Sequence, residues 1–224
     1  MPTTWIVAGA INVSGEIRAA SAVADGGRVT LLARKNTLAP TAVVDASGAA
    51  AGGRIKIGGA LTGGAALPAA DLVDVATGAR IVAEGGSGAG GTVILWSESA
   101  TRMNGRIAVA GGDIKPGGSF VEISSRGALG IGASATVLTG AGGSWRLDPC
   151  NVIITTGRRT LSPPYDPDIT IDPPNNPGDC NVNAASLVGA LNNGSNVTVT
   201  TTQLGKADAG NLTVVAAMNW SGTG

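Results

Sequence analysis

Gly90-Gly91-Thr92-Val93-Ile94-Leu95-Trp96-Ser97, or GGTVILWS, decides how the rest of the chain is read. Two glycines precede a run in which Val93 and Leu95 alternate with Thr92 and Ile94. Period-two alternation marks an extended strand, because successive side chains point to opposite faces. The unit returns as GGRVTLLA from Gly26, GGRIKIGG from Gly52, GGSFVEIS from Gly117 and GGSWRLDP from Gly142, at spacings of 26, 38, 27 and 25 residues. Val29 and Leu31, then Ile55 and Ile57, take the inward positions, opposite Arg28, Thr30, Arg54 and Lys56. The long interval holds ALTGGAALPAAD, an inserted loop over 60–71. At Gly117 the pattern slips by one residue, which points Val121 and Ile123 inward and Glu122 toward water.

A second motif, of the form I-x-A-x-G, lies between these units. It reads EIRAAS from Glu16, VVDASG from Val43, RIVAEG from Arg80, GRIAVAGG from Gly105 and TVLTGAG from Thr136. Each period of about 25 residues thus holds two short strands with glycine-rich turns between them. A single such turn cannot bury its inner side, but a stack of turns can. The expected fold is all-β: a single-stranded right-handed parallel β-helix, one domain over 1–224, of about nine turns and roughly 40 Å. Glycines serve its corners, where positive φ or close backbone approach is needed.

Composition agrees with a narrow interior. Aromatic residues are 3% of the chain, so Val, Ile, Leu and Ala must build the core. A mean hydropathy of +0.25 is too high for a disordered chain. The formal net charge is zero, and Arg18, Arg28, Arg54, Arg80 and Arg106 fall singly, about one per repeat. No basic patch is evident, so no nucleic-acid partner is expected. No apolar run reaches the length of a membrane span, and none is expected to insert. The first residues lack the basic and apolar regions of an export signal, so the chain reads as an excerpt of something longer.

After Pro149 the pattern changes. NVIITTG is a strand, and 156–180 is a projecting loop rich in Pro, Asp and Asn. A short helix is expected over 183–193, capped by Asn183, with Leu187, Val188 and Leu191 on one face and Gly194 ending it. NVTVTTTQ and GNLTVVAAMNW return to strands. Cys150 and Cys180 bracket the loop: they are either a disulfide of an exported protein, which would pin the loop at both ends, or two unrelated thiols.

Catalytic chemistry finds little to work with. The chain has no histidine, which removes Ser-His-Asp and Cys-His arrangements, His-ligated zinc and His acid–base work. Arg54-Ile55-Lys56 resembles one pectinase motif, but its usual Asp-pair and Gly-His-Gly companions are missing, so it reads as ordinary strand. Asp166, Asp168, Asp172 and Asp179 read as a solvated loop, with a cation site as the alternative. GGSGAGG from Gly85 precedes a strand rather than a helix, so it reads as a corner and not a phosphate cradle. Trp96 and Trp220 are each either packed under a neighbouring loop or a binding hot spot. No catalytic residue, metal ligand or cofactor is assigned, and no enzyme activity is expected.

The order GGTVILWSESAT, GRIAVAGG, GGSFVEIS and LDPCNVIIT resembles the filamentous haemagglutinin-like exoproteins of Gram-negative two-partner secretion systems, over residues 10 to 220. The Asn-Pro-Asn motif of the N-terminal secretion domain is absent, which places the likeness downstream of that domain. The resemblance implies a β-helical rod, exported through an outer-membrane transporter pore and carried at or released from the cell surface. Members act as adhesins, as haem or haemopexin-binding proteins, or as stalks of contact-dependent toxins. A host-cell glycan or protein receptor is the implied partner. Contact is expected from the loops over 156–179 and 60–71, unless the segment is a passive spacer.

Overall fold

The computed structural model describes residues 2–61, 68–112, 118–148, 151–156, 180–201 and 210–221. The strands are β1 (Thr3–Val13), β2 (Glu16–Arg18), β3 (Arg28–Leu38), β4 (Val43–Asp45), β5 (Arg54–Ile57), β6 (Ala70–Val75), β7 (Arg80–Val82), β8 (Thr92–Met103), β9 (Arg106–Ala108), β10 (Phe120–Ser125), β11 (Ala128–Ile131), β12 (Thr136–Leu138), β13 (Ser144–Asp148), β14 (Val152–Thr155), β15 (Cys180–Asn183), β16 (Asn196–Val199) and β17 (Leu212–Val214), with one helix α1 (Ala184–Asn192). Every strand pairing among the described residues is parallel. The architecture is the expected parallel β-helix.

Each turn has three sides. The alternating units of the sequence form the first side, and the I-x-A-x-G motifs form the third as β2, β4, β7, β9 and β12. Between them lies a second side that the local pattern hides. In β3 and β8 it simply continues the first-side strand, which therefore runs to 11 and 12 residues instead of the expected short length. Past the first side the long strand carries buried polar side chains, with Asn36 and Thr101 in one second-side ladder through Val73. Asn36 donates to the Ala33 carbonyl at 3.0 Å, Thr101 donates to the Ser124 carbonyl at 2.9 Å, and the Ser97 and Thr101 hydroxyls lie 2.7 Å apart. Buried carbonyls need such partners.

Three sides per turn also correct the expected nine turns. The third side has five rungs, giving about five turns and roughly 24 Å at a strand spacing near 4.8 Å. The insertion takes part of the remaining sequence, and the section beyond β13 takes the rest.

Register aligns like with like. Ile6, Leu31, Ile57, Leu95, Ile123 and Leu147 form one inward ladder of the first side. Ile17, Val44, Ile81, Ile107 and Val137 form that of the third. The expected inward residues Val29, Ile55, Val93 and Val121 are all fully buried. Their ladder continues through Trp145, also fully buried, to Val197, so the core is not wholly aliphatic as composition suggested.

The glycine pairs act by close approach. A Cβ on Gly90 would stand 1.8 Å from the Val109 carbonyl oxygen, so no side chain fits. In three of the pairs the second glycine closes the turn: Gly27, Gly53 and Gly91 donate to the carbonyls of Ala19, Ala46 and Ala83 at 2.7–2.8 Å. These alanines are the A of I-x-A-x-G, buried where the chain folds back on itself.

From β13 onward, chain order and stacking order part. The second side runs β11, β15, β14, β17, so β15 sits between β11 and the earlier strand β14. The connection between β14 and β15 is the long Pro-rich segment, residues 157–179 of which lie outside the described part. On the third side, α1 packs over β12 where a further strand would stack. Asn183 caps it as expected, accepting from the Ala185 amide at 2.9 Å, and Gly194 ends it with φ +77°. Its buried face is Ala184, Ser186, Leu187 and Ala190, whereas Val188 and Leu191 are only half-buried. Ser186 sits inward because its hydroxyl donates to the Gly132 carbonyl at 2.8 Å.

Candidate functional site

The interior is filled and the strands satisfy one another, so recognition falls to outward side chains and loops. The outer face of the first side divides into two halves. Its ladders are set by register: Thr3, Arg28, Arg54 and Thr92 in one, and Trp5, Thr30, Lys56, Ile94, Glu122 and Arg146 in the next.

The half beyond β8 is closed. Ile94, Ser124 and Asp148 are buried, and Glu122, expected in water, is fully buried. The alternation correctly set its direction, outward from the core, but the outer face here is covered. The Ser124 hydroxyl donates to the Glu122 carboxylate at 3.1 Å, and Arg146, in register with Glu122, pairs with Asp148 at 3.2 Å. Hydrogen bonds and an opposite charge are what make such burial tolerable. Trp96 is 1% exposed: its ring lies against Gly59, and the Arg126 guanidinium stands 5.8 Å from the ring centre. Arg126 is itself held by Glu98 at 2.8 Å. This is the packed reading of Trp96. Trp220, by contrast, is 53% exposed.

The half before β8 is open. Arg28 and Arg54 are exposed register partners, with half-buried Lys56 two residues on from Arg54, Trp5 58% exposed beside them and Thr30 buried between Trp5 and Lys56 in the ladder. Trp5, Arg28, Thr30, Arg54 and Lys56 line a shallow cavity of about 130 Å³. Read along the chain these arginines are isolated; a spacing of one turn makes them neighbours.

Other expected positions fall differently. Of the 60–71 insertion, residues 62–67 lie outside the described part; Ala70 is buried, and Asp71 pairs with Arg34 at 2.8 Å. Asp166, Asp168, Asp172, Asp179 and Cys150 all lie outside it. Cys180 is 1% exposed, and there is no free cysteine among the described residues. Among the described residues no group of three or more His, Cys, Asp or Glu could hold a metal ion, and no helix is long and apolar enough to cross a membrane. By sequence, the chain matches no family model and no curated protein.

Proposed function

We propose that this chain is a structural and adhesive segment of a secreted bacterial surface exoprotein, a stiff rod used in attachment, of the filamentous haemagglutinin-like kind exported through a two-partner transporter pore. The observation that carries the reading is the stacking of parallel rungs, whose inward ladders line the interior with buried apolar side chains and whose register gives stiffness. The stretches that carry the family likeness support it. GGTVILWSESAT supplies β8, a first- and second-side strand in mid-stack, GRIAVAGG supplies β9, and GGSFVEIS supplies β10. Each contributes an inward residue to a continuous ladder, so the likeness lies in positions that build the rod.

Antibodies raised against the purified chain test this on the source bacterium. Intact cells should be labelled, and monovalent fragments should lower attachment to host cells or to neighbouring bacteria. Labelling seen only after lysis would overturn the surface assignment. Labelling of intact cells with unchanged attachment would keep the rod but remove its adhesive role.

A further inference from the structure

The open half of the first-side outer face carries three cations that, among the described residues, pair with no acidic group. Among the described residues Arg28, Arg54 and Lys56 make no ion pair, whereas Arg18, Arg34, Arg126 and Arg146 each have a carboxylate partner. Arg28 and Arg54 moreover stand directly opposite in register. Like charges so placed on neighbouring strands destabilise a sheet. The arrangement is therefore unfavourable for folding and suited to an anion shared between them.

The shape of the face narrows the class of anion. It is a sheet surface with a shallow cavity, not a cleft, and the strand amides are committed to the ladder. An extended polymer can lie on such a surface. Two consecutive rungs each present a guanidinium, about 4.8 Å apart along the helix axis. That suits a polymer with a carboxylate on every successive sugar, because a guanidinium fork takes a carboxylate bidentately. Trp5, 58% exposed at the margin of the cavity, offers an apolar ring face on which the C–H side of a pyranose can stack. A nucleic acid fits less well. The whole chain has zero formal net charge and so lacks the broad positive field that a phosphate backbone requires.

We propose that Trp5, Arg28, Arg54 and Lys56 form a binding site for a polyuronate, a polysaccharide whose consecutive sugars are all uronic acids, on the outer face of the first side. The site rests on the adhesive-rod reading and deepens it by giving the rod a contact surface. The structure supplies an internal control. Arg80 and Arg106 are also exposed register partners without an ion pair among the described residues, on the third side. They have no tryptophan and no third cation beside them in the register.

The test is calorimetric titration of the full chain with a short unesterified oligogalacturonate, its methyl-esterified counterpart, a heparin oligosaccharide and a single-stranded oligodeoxynucleotide. The unesterified uronate should bind best and the ester should not bind. Arg28→Gln and Arg54→Gln should each weaken binding about tenfold, the scale of one charge-assisted hydrogen bond. Trp5→Ala should weaken it as well, and Arg80→Gln/Arg106→Gln should leave it unchanged. All these side chains are exposed, so circular dichroism should show the fold retained. The proposal is overturned by absence of uronate binding, by equal binding of the ester, or by an equal loss in the Arg80/Arg106 variant. Equal or tighter binding of heparin or DNA would overturn it too, in favour of a general polyanion surface. None of these outcomes touches the rod reading, which stands or falls on surface labelling.

Discussion

The five regular turns and the section that follows β13 solve the same problem in different ways. In the turns, chain order is stacking order, each strand lying on the one a period earlier. After β13 the chain places β14 first, returns through a long connection, and inserts β15 beneath it. A helix then takes the place of a third-side strand. Regular turns need only inward apolar residues and corners narrow enough for backbones to meet. The later section needs a long connection and contacts that hold strands out of sequence, so different substitutions should damage the two regions.

The largest expected effect is at a corner of the regular turns. In Gly90→Ala the added methyl would meet the Val109 carbonyl oxygen at 1.8 Å, a backbone atom that cannot swing aside. The corner would have to open, shifting the stacked rungs on either side. The expected cost is about 4 kcal/mol or more, among the largest for single substitutions, or outright failure to fold. Urea denaturation followed by circular dichroism measures it. A loss below about 1 kcal/mol, the ordinary scale for a point mutation, would show that the corners tolerate side chains and that the paired glycines have another cause.

How far the sequence could be read follows from the same contrast. The inward ladders were legible because alternation alone sets the face, and Val29, Ile57, Leu95 and Ile123 lie where it puts them. The third side was legible because its alanine is fixed by the closing hydrogen bond from the next glycine pair. The second side was not, because polar residues in it, Asn36, Ser97 and Thr101, break the apolar pattern while staying buried. The insertion of β15 beneath β14 left no local trace, since register is a property of two distant segments. The Arg28–Arg54 pair was hidden for a related reason. Its members are one turn apart in sequence and adjacent only once the stack forms. Glu122 shows the opposite failure, an outward residue on a face that proves to be covered.

A medium effect should come from Cys150 and Cys180. Cys180 is buried and pairs in register with Val152, two residues beyond Cys150 in sequence. We expect the two to be bonded in the exported protein, closing the connection that lets β15 enter out of order. Loop-closure entropy gives such a bond roughly 3 kcal/mol. Peptide mapping without reduction should recover the two cysteine peptides linked. Reduction should lower amide-exchange protection in β14 and β15 while the regular turns keep theirs. Two freely alkylated cysteines in oxidised material would remove the bond, and uniform loss of protection would show that the two regions unfold as one.

The smallest expected effect inverts the first. Gly189 lies inside α1, exposed, with nothing within 4 Å of where a Cβ would stand. Its glycine therefore carries only the entropic disadvantage of that residue in a helix interior, and Gly189→Ala should stabilise the protein by about 0.5–1 kcal/mol. The same chemical change is thus expected to act in opposite senses at two glycines. At Gly90 the methyl meets a neighbouring rung; at Gly189 it meets solvent and removes freedom from the unfolded chain. Denaturation midpoints of the two variants, measured beside the parent, decide the matter. If Gly189→Ala is destabilising by a similar amount, the exposed face of α1 is covered by another part of the protein. If it stabilises as expected while Gly90→Ala collapses the fold, the difference between a stacked corner and an added helix is energetic as well as geometric.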